Sequence, residues 1–404
     1  MISVEQARDH VRDGMSLISS ETISIADGLG RVLGEDVASR VTQPPKDVSS
    51  MDGYAVRAAD VVTVPTTLTR IGESQAGKGF EGTMGAGQTV RTFTGAPIPD
   101  GADAIVIQEV TEVDGDQILI KESSGAGRFI RRAGLDFSNG DVLLKSGTVL
   151  SARDIGLLAA MNVPWIKVRR RPRVGIIATG DEVVMPGDPL GPDQIISSNT
   201  LALSGYITAL GGDPVNLGIA GDTVESLRDV LSAARGMDLI MTIGGASVGD
   251  YDLVQQVMGE EGLKLDFYRI AMRPGKPMIF GHLNGIPVLG LPGNPVSAGA
   301  ISVVFLSLAM DIMLGLESDD ETMETAVLGC DLGENDKRQD YLRAALCKTK
   351  DGALSATPFG PQDSSMMELF ARADCLVVRP PFAPAATVGD RVEIIRLSMG
   401  RVRF

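Results

Sequence analysis

From Arg173 onward the chain alternates short apolar runs with capped amphipathic stretches. This pattern is met by a sheet layered between helices. Residues 174–179, 215–220 and 239–243 read as buried strands. Between them, Asn199 and Thr200 predict the cap of a helix with Leu203, Ile207 and Leu210 on its apolar face, stopped by Gly211 and Gly212. Thr223 predicts the cap of a second helix carrying Leu227, Val230 and Leu231, and residues 252–258 a third. The expectation is a parallel, doubly wound sheet. Such sheets bind ligands beyond the carboxyl ends of their strands. Those ends carry Asp181 and Glu182, then Asp222, then Asp250 and Asp252.

The third run empties into Gly244-Gly245-Ala246-Ser247-Val248-Gly249-Asp250-Tyr251-Asp252. Glycines let the backbone approach a ligand and turn N–H groups toward oxyanions, while carboxylates supply hard oxygen ligands suited to Mg²⁺. We read this stretch as a seat for phosphate and a metal ion, against the alternative of an acidic surface turn. Residues 269–277 concentrate Arg269, Arg273 and Lys276 around Gly275, a cluster suited to neutralising an oxyanion. Then come Pro292, Gly293, Asn294 and Pro295, with Asn294 as N-cap and Pro295 opening an apolar helix. A helix start stiffened by prolines makes an anion-facing wall.

Composition narrows the chemistry. A chain of 404 residues is divided among several domains, and its net charge of −15 argues against a nucleic-acid surface or an anionic membrane partner. An anionic substrate then has to be held by a local basic cluster or through a divalent cation. Cys330, Cys347 and Cys375 form no C-x-x-C pair, and His10 and His282 lie far apart, so zinc chemistry and a serine–histidine triad are disfavoured. The thiols suit a reducing, cytoplasmic setting. The longest apolar run, 301–310, is broken by Asp311 and is shorter than the about 20 residues a bilayer requires, so we read it as a core helix. No export signal is read at the N-terminus, where Ser3 and Gln6 form a capping box ahead of Val4, Ala7 and Val11. A β-rich, glycine-punctuated region follows, with strands expected at 67–71, 90–93, 104–108 and 117–120. Ser151 caps a helix that leads to a basic strand at 165–171. Residues 317–321 are an acidic run marking a boundary. Beyond about Thr325 short strands at 341–346, 375–379 and 391–395 predict a small all-β domain.

Several stretches, taken in order, carry a resemblance: Gly30 to Val37, Ser50-Met51-Asp52-Gly53-Tyr54-Ala55-Val56, Thr94-Gly95-Ala96-Pro97, Thr179-Gly180-Asp181-Glu182, residues 244–252, Arg273-Pro274-Gly275-Lys276-Pro277 and Pro292-Gly293-Asn294-Pro295. From end to end the chain resembles the MoeA family of molybdopterin molybdenumtransferases. That resemblance implies a multidomain α/β plus β fold. A central MogA-like, doubly wound α/β domain (169–318) would be flanked by a β-rich N-terminal domain (27–138), an extended helical and linker domain (1–26 with 139–168), and a small C-terminal β-barrel-like domain (319–404). It implies insertion of molybdate into adenylylated molybdopterin, with Mg²⁺ assisting and AMP released. It also implies a homodimer working in molybdenum cofactor biosynthesis beside molybdopterin adenylyltransferase and downstream molybdoenzyme maturation factors.

By motif, the resemblance implies catalytic roles for Asp52, Thr94, Glu182, Asp222 and Asp252. It implies metal ligation by Glu182, Asp250 and Asp252, and substrate binding by Gly244, Gly245, Ser247, Gly249, Arg269, Arg273, Lys276, Pro292, Pro295 and Ser365. Arg269 and Arg273 stand where well-known members have lysines, which keeps the charge and adds a planar fork. Lys46 replaces a frequent aromatic, which bears on pocket shape. Two other readings stay open. A molybdopterin adenylyltransferase would share the central domain but would not require the DGYA region or the C-terminal domain. A non-catalytic scaffold would predict a degraded polar site, whereas the acidic positions are filled.

Overall fold

The computed structural model describes residues 1–244, 253–316 and 323–397. At its centre is a six-stranded sheet in the order Asp213–Ala220, Arg173–Thr179, Leu239–Ile243, Ile286–Leu291, Pro277–Leu283, Leu263–Arg269. The first four strands are parallel, as the alternation predicts; Pro277–Leu283 runs against them, and Leu263–Arg269 pairs antiparallel with it. The sheet is therefore mixed. The switch is made at Asn284 and Gly285, both at positive φ (51° and 86°), which join Leu283 to Ile286 in a two-residue hairpin.

Alternation along the strands divides the core between the two faces. Val174, Ile176, Leu239 and Met241 pack on one side with Leu203 and Ile207, whereas Ile177 and Ile240 pack on the other with Leu227, Leu231, Val257 and Met258. Helix Ser198–Ala209 begins at least two residues earlier than expected, with Ser197 at the N-cap, so Asn199 lies in its first turn. Thr223 caps Val224–Ala233 as predicted, its side chain accepting from Ser226 N at 3.2 Å.

One long helical rod fills the first face. It runs as α-helix over Pro295–Ile301, widens to a π-turn over Ser302–Leu306, and returns to α over Ser307–Leu314, passing straight through Asp311. Its 20 residues have a mean hydropathy of 1.9, long and apolar enough to cross a bilayer, yet 72% of the apolar window is buried inside the protein. It is the core helix that the apolar run predicted. The N-terminal helix, Val4–Gly14, packs on this rod and on Pro277–Leu283, so that Val4, Ala7 and Val11 belong to the α/β core.

Strand Ser20–Ser24 then pairs with Trp165–Arg169, returning the chain to the start of the central sheet. A second six-stranded sheet, Ala104–Ile107, Gly53–Val56, Gln88–Thr92, Thr66–Ser74, Gln117–Ile120, Thr111–Asp114, carries the Asp52 and Thr94 region. At the C-terminus, Gln339–Lys348, Leu354–Pro358, Met323–Leu328, Arg391–Arg396 and Cys375–Arg379 close on themselves as a five-stranded barrel. Residues Met272 and Arg273 of the α/β unit add a short parallel strand to the barrel against Gln339 and Asp340.

Candidate functional site

A cavity of about 610 Å³ opens beyond the carboxyl ends of Arg173–Thr179, Leu239–Ile243 and Ile286–Leu291. Its floor is drawn tight by Thr179, whose hydroxyl donates to Ile243 O at 3.2 Å. Gly244 follows at φ +91°, where a Cβ would lie 2.7 Å from Thr179 Oγ1 and 2.9 Å from Thr179 O, so the turn there requires glycine. Two helices start at the cavity, Ser198–Ala209 and Pro295–Ile301, and neither N-cap side chain caps its own helix. The first-turn N–H groups of Ser198–Ala209 are left for a ligand or solvent, whereas in Pro295–Ile301 the first residue has no N–H and Val296 N is taken by Ser364 O.

Asn294 departs from its expected role. It occupies the N-cap position, but its amide donates to Ser364 Oγ at 2.9 Å, and Ser364 O accepts from Val296 N at 3.1 Å. Asn199 likewise reaches across the cavity to donate to Gly293 O at 2.7 Å. The prolyl loop is thus held from both sides, with Pro292 and Pro295 in the wall. The adjoining wall comes from the barrel domain, which contributes Ser365 and Met367. Ser365 donates to Asp363 Oδ1 at 2.6 Å, and that bond together with the Ser365 backbone N–H holds the Asp363 carboxyl below its usual range.

Among the described residues, Glu182 is the one carboxylate in this lining. Asp222 is exposed and outside the lining; its N–H donates to Asp181 Oδ1 at 3.0 Å. Gly245, Ser247, Gly249, Asp250 and Asp252 lie outside the described residues. No group of three or more metal-ligating side chains is found among those that are described.

The basic cluster sits at the seam between the α/β unit and the barrel. Arg269 stacks its guanidinium 5.0 Å from the Tyr268 ring, and its buried Nε has no hydrogen-bond partner among the described residues. Arg273 bonds Asp340, Asn335 (3.0 Å) and Asp336 (3.2 Å), and the Asp340 contact raises its pKa. Lys276 is exposed, and none of the three lines the cavity.

Asp52 and Thr94 meet on the other sheet. Asp52 Oδ1 accepts from Thr94 N at 2.8 Å and from Thr94 Oγ1 at 3.0 Å. Those two bonds, aided by the charge of Arg91, hold its carboxyl below the usual range, so it is ionised at neutral pH. Neither residue is in the lining of the 610 Å³ cavity. Beside the pair, a groove of about 920 Å³ is lined by Lys46, Phe80, Gly95 and Arg131.

Sequence reading missed Ser197 and Arg343, and took Asn199 for a helix cap where it bridges to Gly293. Arg343 is 1% exposed and bonds Gln362 Oε1, Met366 O and Pro361 O, gathering the loop that presents Ser365. Its signal was present: a lone cation at an inward position of an otherwise apolar strand has to find partners inside.

Three family models match the chain: "MoeA N-terminal region (domain I and II)" over residues 2–162, "Probable molybdopterin binding domain" over 175–311, and "MoeA C-terminal region (domain IV)" over 325–397. A molybdopterin molybdenumtransferase of Haemophilus influenzae is 31% identical, covering 98% of each chain. One from a Nostoc species is 34% identical over 94% of this chain and 89% of its own. Two solved structures of a molybdopterin biosynthesis MoeA protein from Pyrococcus horikoshii align over 98% of this chain and 99% of theirs. Their TM-scores are 0.86 at 32% identity and 0.77 at 25% identity.

Proposed function

The chain belongs to the MoeA family of molybdopterin molybdenumtransferases, and from that premise we propose that its α/β cavity takes adenylylated molybdopterin and molybdate and releases AMP. The observation that carries this reading is one cavity assembled from two helix starts, Glu182 and the Ser365 loop of the barrel. Phosphate oxygens suit the free first-turn N–H groups of Ser198–Ala209. The serine loop and the prolyl loop, bonded through Ser364, form a stiff frame that holds the substrate between two domains. Arg269 and Arg273, with Lys276, would orient the molybdate from the seam, outside the cavity lining but on the segment that leads into its Pro277. The unpartnered Nε of Arg269 supports an oxyanion contact there, and Arg273 would share its fork with Asp336 and Asp340.

Mg²⁺ suits hard carboxylate oxygens such as that of Glu182, the rest of its shell being completed by water and phosphate. Glu182 would hold it together with Asp250 and Asp252. When bound, the ion would offset the repulsion among phosphate, leaving AMP and molybdate. Asp222 flanks the crevice on the second strand exit. Asp52 stays ionised by its bonds to Thr94, which suits it to complete the site of the other subunit in a homodimer. The reaction belongs to the cytoplasm, where three unpaired cysteines are at home, downstream of molybdopterin adenylyltransferase and upstream of molybdoenzyme maturation factors.

The test is AMP release from adenylylated molybdopterin, with molybdate and Mg²⁺ each added or withheld. AMP that depends on both is the expected result. ATP-dependent adenylylation of free molybdopterin without such release would move the chain to the adenylyltransferases, and neither activity would leave a scaffold.

A further inference from the structure

Ile2 lies alongside Ile270 as a parallel bridge: its N–H donates to Arg269 O at 3.2 Å, and its carbonyl accepts from Ala271 N at 2.8 Å. These bonds bracket the start of the turn that carries Arg269 and Arg273. On the other edge of the same segment, Ala271 O accepts from Gln339 N at 2.8 Å, and Met272 and Arg273 pair with Gln339 and Asp340. The arginine segment is therefore gripped between the N-terminus and the barrel.

The N-terminal grip is itself firmly seated. Immediately after Ile2, the Ser3–Gln6 capping box starts a helix whose Val4, Ala7 and Val11 are at most 5% exposed. At its far end, Gly14 O lies 3.0 Å from His282 Nε2, on the sheet. Arg8 reaches Val304 O in the π-turn of the core rod at 3.5 Å. A helix fixed along its whole length gives Ile2 little freedom to slide.

We propose that residues 2–14 act as a positioning strap, with the Ile2 backbone setting where Arg269 and Arg273 present their guanidinium groups to the transferred oxyanion. The inference rests on the role proposed above for those arginines. Ile2 is a positioning residue, so its effect belongs to oxyanion affinity and not to the chemical step.

The test uses the full chain with Ile2→Pro, which removes the N–H donor, and Ile2→Ala, which keeps both backbone bonds. Hydrogen exchange at the Ala271 amide and molybdate binding by calorimetry are measured on each. In Ile2→Pro the amide is expected to exchange about tenfold faster and the molybdate Kd to rise about fivefold, with kcat at saturating molybdate within about twofold of the parent. Ile2→Ala is expected to match the parent in both. Faster exchange with unchanged Kd would overturn the positioning role, and unchanged exchange would overturn the grip itself. Absence of molybdate binding in the parent chain would sink the arginine reading and the strap with it, a failure recognised before any variant is made.

Discussion

Arg343 shows how one side chain holds a wall of the site. Its guanidinium is buried, and its bonds run to two backbone carbonyls and the Gln362 amide oxygen. Desolvation lowers its pKa, with Asp363 opposing, but a guanidinium stays charged at any working pH. Arg343→Ala would strip the side-chain donor from the Pro361 and Met366 carbonyls and leave Gln362 Oε1 only the backbone N–H of residue 343. The expected cost is about 2–4 kcal/mol, read as a lowered urea midpoint, accompanied by loss of AMP release as the Ser365 loop drifts. A variant with full stability and activity would show that the loop stands without it. At this scale the sequence was legible where a residue type has few uses, as for Glu182 after a strand. It was misleading where one residue type has two uses. Asn294 has the chemistry of a cap, but a partner 70 residues away, Ser364, competes for its amide, and nothing local encodes that competition.

The rod over residues 295–314 carries a single acidic side chain. Asp311 sits on it against a cavity shared with Leu29, Val149 and Arg171, and its charge bears on Tyr206 of the neighbouring helix. Burial pushes its carboxyl up to about 6. The folded protein thus binds this proton more tightly than the unfolded chain, so the group's favourable contribution is present below about pH 4 and lost as pH rises through about 6. After allowance for partial exposure the loss at neutral pH is on the order of 1–2 kcal/mol. Asp311→Asn is expected to raise the unfolding midpoint by roughly 2–5 °C at pH 7.5 and by under about 1 °C at pH 4, by calorimetry. An equal gain at both values would mean that the carboxyl titrates normally. Most elements were readable from period and caps, Val4–Gly14 and Val224–Ala233 among them. The antiparallel return over Pro277–Leu283 was not anticipated, although Asn284-Gly285 is a strong hairpin signal, because the alternation upstream had set an expectation of parallel strands.

At the scale of the whole molecule, the Asp52–Thr94 pair and the Glu182 cavity occupy different sheets, and a site shared between subunits would unite them. Chains bearing Asp52→Ala and chains bearing Glu182→Ala, each inactive alone, are expected to regain about a quarter of parental activity when co-expressed, since half the dimers would rebuild one of two sites. No recovery would confine each site to one chain. The family was legible from end to end because its motifs are local. The contacts that join the parts were not, because Met272–Arg273 against Gln339 and Asp340, and Val11 within the α/β core, pair residues remote in sequence.

That last placement has a consequence in time. Val4, Ala7 and Val11 are made first, yet they are buried against Met278, Phe280 and Leu308. At ordinary rates of synthesis, the roughly 270 residues between Val11 and Phe280 take about 15–55 s to emerge. Throughout that interval the apolar face of the first helix waits outside the ribosome without the surface that covers it. A chain built this way gives a chaperone a defined segment to hold, and its central core is complete only after the strand at Pro277–Leu283 and the rod that follows it have been made.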